Sequence, residues 1–325
     1  MRLLTGIQPS GDLHIGNYFG SIKPMITSQN DNEIFAFIAN YHAMTSLNSG
    51  TEDGKKLSHF TMQSALDFLA LGMNPNQSTF WVQSDVKEVL ELYWVLSSFT
   101  SMGLLERGHS YKDKTAKGIS ANHSLFSYPV LMAADILLFD SQIVPVGKDQ
   151  IQHVEMARDI ATRFNNAFGD IFTIPQHRVD ANVATVPGTD GQKMSKSYGN
   201  TINIFGEEKK QQKIIKKIVT EAIAMEDPKE YKDCNVYNIA KLFLNENEQI
   251  DLQERYTHGG EGHGHFKLYL ADVMWEYFRE YRETRASFAA RPDDVRDILK
   301  MGADKARAIA LPNIEKVRSV TGLSY

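Results

Sequence analysis

A chain of 325 residues with 42% apolar and 23% charged side chains can bury a sizeable core, which excludes a disordered or fibrous chain and fits a soluble globular one. No stretch approaches the roughly 18 apolar residues that span a bilayer, and MRLLTGIQPSG breaks at Gly and Pro before a signal-like run, so a cytoplasmic protein without a membrane partner is expected. One cysteine, Cys234, excludes an internal disulfide and a Cys-built metal centre, and a formal charge of −5 leaves any nucleic-acid contact to local basic patches. In chain order, strand-like pieces at 3–7, 34–39, 79–83 and 143–146 alternate with helical periodicities near 16–28, 52–71, 85–99, 124–138 and 149–164. Strand then helix, repeated, predicts an α/β chain, a Rossmann-type parallel sheet whose ligands bind beyond the carboxyl ends of the strands. The stretch 180–205 is rich in Gly, Ser, Thr and Asn and reads as loop, whereas from 206 the pattern is helical, in four or five amphipathic segments that include 266–289 and 293–320. The expected boundaries are a catalytic domain at 1–205, a smaller all-helical domain at 206–295 and a C-terminal helix at 296–325 packing back on the first domain.

Two segments have the chemistry for phosphate. The first strand runs into Gly6-Ile7-Gln8-Pro9-Ser10-Gly11-Asp12-Leu13-His14-Ile15-Gly16-Asn17, a turn with a helix starting at about Ile15. Such a start presents free N–H groups and the positive end of the helix dipole, and glycine lets a nucleotide approach the backbone. His14 and Asn17 fall on one side of the first turn, where both can donate to phosphate oxygens; the plain alternative is a capped helix after a tight turn. The second segment, Lys193-Met194-Ser195-Lys196-Ser197, sets two lysines and two hydroxyls in the Gly-rich loop. A loop can bring such point charges onto a transferring phosphate when ligand arrives, and is otherwise a solvated surface.

Together, strand–HIGN–helix and KMSKS resemble the paired signatures of class I aminoacyl-tRNA synthetases, with Asn17 keeping a donor where the commoner HIGH form has its last histidine. Tyr128-Pro129-Val130-Leu131-Met132-Ala133-Ala134-Asp135 places Tyr128, Met132 and Asp135 on one helical face, for which a satisfied buried acid in plain core is the alternative. That run resembles the tryptophan-binding helix of bacterial tryptophanyl-tRNA synthetases. The resemblance implies that Asp135 accepts the indole N–H, Met132 packs on the ring and Tyr128 faces the amino group. Val144-Pro145-Val146-Gly147-Lys148-Asp149-Gln150 resembles the family's segment beside the amino and ribose groups, implying Gln150 on the former and Asp149 on the latter, with helix capping as the alternative for Asp149. By the same resemblance Gly6, Gln8, His42, Val144 and Val146 complete a tryptophan site. The implied ATP site comprises Gln8, Pro9, Ser10, Gly11, His14, Gly16, Asn17, Gly147 and Asp149 with Lys193, Met194, Ser195, Lys196 and Ser197; His14, Asn17, Lys193, Ser195 and Lys196 are its implied catalytic groups, and Lys114 sits at a phosphate-contacting position.

What the resemblance implies is activation of L-tryptophan with ATP, Mg2+ entering with the nucleotide and no metal held by the protein, followed by transfer to tRNA(Trp). The implied assembly is a cytoplasmic homodimer whose helical domain binds the anticodon. Lys209, Lys210, Lys213, Lys216 and Lys217 read as a solvated helix face, and His258, His263 and His265 among glycines as no metal cluster. Three rivals are a tyrosyl-tRNA synthetase, expected to carry a polar residue at Met132, a small-molecule nucleotidyltransferase, and a non-enzymatic RNA-binding paralogue, expected to have lost one phosphate motif.

Overall fold

The computed structural model describes residues 1–46, 50–108, 122–179 and 185–325. Its centre is a five-stranded sheet of β1 (Arg2–Ile7), β2 (Glu33–Ile38), β3 (Thr79–Val82), β4 (Ile143–Pro145) and β5 (Gln176–Arg178), ordered β3-β2-β1-β4-β5 and parallel throughout. The register pairs Leu4 with Phe35 and Ala36 with Phe80. Successive side chains alternate between two cores: Leu3, Ile34, Ala36 and Phe80 enter one, Leu4, Phe35, Phe37 and Trp81 the other. Both faces are therefore apolar, as a parallel sheet covered by helices requires. β5 escaped the sequence reading because Gln-His-Arg carries no apolar pattern; it is a three-residue edge held by pairing with β4.

Helices connect the strands: α1 (Ile15–Asn17), α2 (Lys23–Thr27), α3 (Asn40–Ala43), α4 (Gly50–Ala70), α5 (Glu88–Ser97), α6 (Met102–Glu106), α7 (His123–Leu138) and α8 (Ile151–Phe168). The single helix expected at 16–28 is interrupted, since a π-helical turn at Tyr18–Ile22 separates α1 from α2. Pro24 supplies the reason: it has no N–H, and its ring clashes with the carbonyl four residues back unless the preceding turn widens.

After the loop come α9 (Glu208–Lys216), α10 (Asn235–Ala240), α11 (Glu246–His258), α12 (His263–Tyr277), α13 (Arg279–Ala289) and α14 (Pro292–Thr321). The pattern at 266–289 is two helices rather than one, broken at Phe278, which is fully buried against Tyr18 and Phe243. The first core runs without interruption from the sheet through Ile202, Ile215, Val236, Phe266 and Phe278. α14 crosses the edge strand β3 so closely that a Cβ on Gly302 would come within 1.8 Å of the Phe80 carbonyl oxygen. Ala303, Ala306, Ala310, Ile314 and Val317 complete the second core, and Arg307 with Glu88 at 2.9 Å and Arg318 with Glu91 at 2.5 Å tie α14 to α5. The edge at β3 is thereby covered. No helix among the described residues is long and apolar enough to cross a membrane.

Candidate active site

Beyond the carboxyl ends of β1, β2 and β4 opens a cavity of about 590 Å³. Of the residues expected at a site, Gly6, Gln8, Ser10, Asn17, His42, Tyr128, Met132, Asp135, Val144, Val146, Gly147, Gln150 and Lys196 line it. Pro9, Gly11, His14, Gly16, Asp149, Lys193, Met194, Ser195 and Ser197 are not among its walls. Lys114 lies outside the described residues.

At one end stands the helix start. His14 is the N-cap of α1: its Nδ1 accepts from Asn17 N–H at 3.2 Å while its own N–H donates to Asn17 Oδ1 at 3.2 Å, a reciprocal capping box. A ring whose Nδ1 accepts must carry its proton on Nε2, so His14 keeps one donor for a ligand. Burial first, then the charge of Lys196, pulls its pKa down to about 4, so the ring is neutral at physiological pH. Capping and ligand donation therefore use different nitrogens. Asn17 commits its carbonyl oxygen to the cap and retains its NH2 group.

The KMSKS loop lies against this helix start. Gly16 makes the approach possible, because a Cβ there would meet His14 Nδ1 at 2.9 Å and Met194 Cβ at 3.3 Å. Met194 is buried in the first core and anchors the loop, whereas Lys193 is exposed. Lys196 Nζ donates to the carbonyls of Ser10 at 3.2 Å and Gly11 at 3.0 Å. Partial desolvation lowers its pKa, opposed by the charges of Asp12 and Asp67. Ser195 Oγ accepts from Ser197 N–H, which starts the short 3-10 turn Lys196–Tyr198. Asn200 belongs to neither phosphate motif, yet its buried side chain accepts from Ser195 N–H at 2.8 Å and donates to Asp190 and the Lys193 carbonyl, fixing the loop's shape.

At the other end sits Asp135, 2% exposed on α7. His42 Nε2 lies 2.8 Å from its Oδ2, and Gln83 Nε2 lies 2.8 Å from both carboxylate oxygens. Burial pushes the Asp135 carboxyl up, while the bonds from His42 and Gln83 pull against that rise. Met132 and Tyr128 continue the same face, and the Tyr128 hydroxyl is hydrogen-bonded to His153 Nε2. Gln8 Nε2 reaches the His42 carbonyl at 3.4 Å, joining the β1 turn to α3. Asp149 does not act as a cap: α8 begins after Gln150 with no side-chain capping bond, and Asp149 instead accepts from Gln150 Nε2 at 3.0 Å. Its carboxylate is held one residue too early, by the 3-10 turn Lys148–Gln150, to meet the first free N–H groups of α8. Among the described residues no group of three or more His, Cys, Asp or Glu could hold a metal ion, and His265 Nδ1 is occupied in accepting from Gly262 N–H at the start of α12.

A cavity with a carboxylate at one end and a helix start with a lysine loop at the other suits an amino acid joined to a nucleotide. Comparison with known proteins agrees with that chemistry. The family model for tRNA synthetases class I (W and Y) matches residues 1–279. A tryptophan–tRNA ligase of Campylobacter jejuni strain RM1221 is 60% identical over 323 residues, covering 99% of this chain and 100% of its own. One from Fusobacterium nucleatum is 49% identical, covering 99% and 98%. The crystal structure of the Campylobacter jejuni tryptophanyl-tRNA synthetase complexed with ADP and tryptophan superposes with a TM-score of 0.95 at 60% identity, over 99% of this chain and 100% of that one.

Proposed function

We propose how the residues of this chain, which belongs to the class I tRNA synthetases of the W and Y family, perform tryptophan–tRNA ligation. The enzyme activates L-tryptophan with ATP to tryptophanyl-adenylate and pyrophosphate, then transfers tryptophan to the 3′ end of tRNA(Trp). One tryptophan carboxylate oxygen bonds to the α-phosphorus while the bond from that phosphorus to the β-phosphate oxygen breaks. A ribose hydroxyl of the tRNA terminus then attacks the carbonyl and AMP leaves. No residue needs to become covalently attached, so positioning and charge stabilisation supply the rate.

The observation that carries the residue account is the buried Asp135 carboxylate at the cavity end beside Met132. Indole has one donor and no acceptor, so an acceptor fixed among apolar walls matches it. Met132 packs on the ring, Tyr128 and Gln150 face the amino group, and Gly6, Gln8, His42, Val144 and Val146 shape the remainder. ATP lies toward Gly11, Gly16 and Asn17, with Gly147 and Asp149 near the ribose and Mg2+ entering as part of the nucleotide substrate. His14 donates from Nε2, and Lys193, Ser195 and Lys196 close on the pyrophosphate as its charge develops; the short reach from Lys196 to Ser10 and Gly11 supports that placement.

We assign 1–205 to catalysis, 206–295 to anticodon binding and 296–325 to support of the sheet, the last on the contacts of α14 with β3 and α5. A cytoplasmic homodimer is the assembly we favour. Leu90 and Trp94, one helical turn apart on α5 and 40% and 74% exposed, and Met102 at 63% leave an apolar surface of the kind that partners cover.

Amino-acid-dependent ATP–pyrophosphate exchange across the twenty amino acids tests the function. Tryptophan should sustain it far above the rest, and equal or faster exchange with tyrosine would overturn the reading.

A further inference from the structure

Gln83 lies in no motif, yet it is 2% exposed and directly follows β3, opening the 3-10 segment Gln83–Asp85. Its amide oxygen accepts from Tyr41 N–H at 3.0 Å. That bond fixes which way the amide points: oxygen to the backbone of α3, NH2 to Asp135. Nε2 sits 2.8 Å from each carboxylate oxygen, so a single group spans the width of the carboxylate and resists its rotation about the Cβ–Cγ bond. His42 occupies only Oδ2 and does so from α3, the same short helix whose backbone holds Gln83. An ionised carboxylate has about four acceptor sites, so these contacts leave room for one more donor, on the side of Oδ1.

We infer that Gln83 is a positioning residue for tryptophan selection, holding the Asp135 carboxylate so that its remaining acceptor site meets the indole N–H. The inference rests on the reading of Asp135 as the acceptor for that group. Gln83 makes no wall of the cavity, so its influence on substrate passes through Asp135. A Gln83 that merely supported the sheet would affect all aromatic substrates alike. A Gln83 that aims the carboxylate affects only those with a ring N–H.

The test compares tryptophan with benzothienylalanine, in which sulfur replaces the indole N–H at nearly constant shape, by kcat/KM in pyrophosphate exchange. Two variants are used. Gln83→Met removes donor and acceptor at similar volume; Gln83→Leu removes both with a branched apolar side chain, so that a fall common to the two does not depend on the packing of one replacement. In both, the preference for tryptophan should fall about tenfold or more, mainly through KM, with benzothienylalanine little changed. An equal fall for both substrates, or an unchanged preference, would overturn the inference. Asp135→Ala assayed beside them separates the two readings. If it abolishes the preference while both Gln83 variants retain it, only the role of Gln83 fails; if it too leaves the preference intact, the reading of Asp135 has failed first.

Discussion

His14 shows how one side chain can combine a structural use with a chemical one. The pattern HIGN read equally as a helix cap or a phosphate donor, and the ring occupies the cap with Nδ1 while Nε2 remains to donate. Because burial holds its pKa near 4, below the ordinary 6.5, the native protein binds fewer protons than the unfolded chain between those values. Stability contributed by His14 should therefore rise with pH across that window. Melting temperatures of wild type and His14→Ala from pH 4 to 7 should diverge as pH rises, and exchange activity of the variant should fall by about a hundredfold or more. A parallel pair of melting curves would show that the ring is not buried in its neutral form. Asp135 and Met132 were likewise legible, as one face of a helix. Gln83 and Asn200 were not: each matters through a partner placed by the fold, Asp135 being 52 positions from Gln83, and Ser195 being held by a loop with no periodic signal.

Among the elements, the KMSKS loop and the joint between α4 and α13 invite separate tests. Lys196 spans from its loop to the carbonyls of Ser10 and Gly11, so in the proposed clamp an arriving phosphate chain would exchange one set of oxygens for another around the same ammonium. Lys196→Ala should lose about 2–4 kcal/mol of transition-state stabilisation in adenylate formation while tryptophan affinity barely changes. Near-normal exchange in single-turnover assays would dismiss the loop as the clamp. The joint is the pair of buried Asp67 with Arg285, at 2.5 Å. Burial outweighs the attraction of Arg285 and raises the Asp67 pKa to about 6 from 3.8. Here the native state binds more protons than the unfolded one between those values, so stability relative to Asp67→Asn should decline as pH rises from about 4 to 6 and level off above, by at most about 3 kcal/mol. Urea titrations at intervals of pH would reveal the opposite slope if Arg285 governed instead. Element boundaries followed the sequence where apolar periodicity was long, as in α4 and α7. They departed from it at Pro24, at Phe278 and at β5, where ring sterics, burial and strand pairing decided the conformation.

For the whole molecule, the alternation of strands and helices predicted the parallel sheet, but not that the helices after 206 share one continuous core with it. Nor did the pattern say that α14 would cross β3 with Gly302 against its backbone. Such arrangements depend on contacts between segments more than 200 residues apart, which no local period records. If the exposed Leu90, Trp94 and Met102 meet a second copy, light scattering should give twice the chain mass at micromolar concentration, and Trp94→Glu should yield monomers; a monomeric wild type with full aminoacylation would end that proposal. We propose that a nucleotide end and an indole end, drawn from distant parts of the chain, form one site whose amino-acid choice depends on Asp135. The most direct measurement is kcat/KM for tryptophan and phenylalanine in pyrophosphate exchange, in wild type and Asp135→Ala. The variant should lose about 2 kcal/mol or more for tryptophan, and the gap to phenylalanine should narrow. Loss of activity with the ratio between the two substrates unchanged would contradict it.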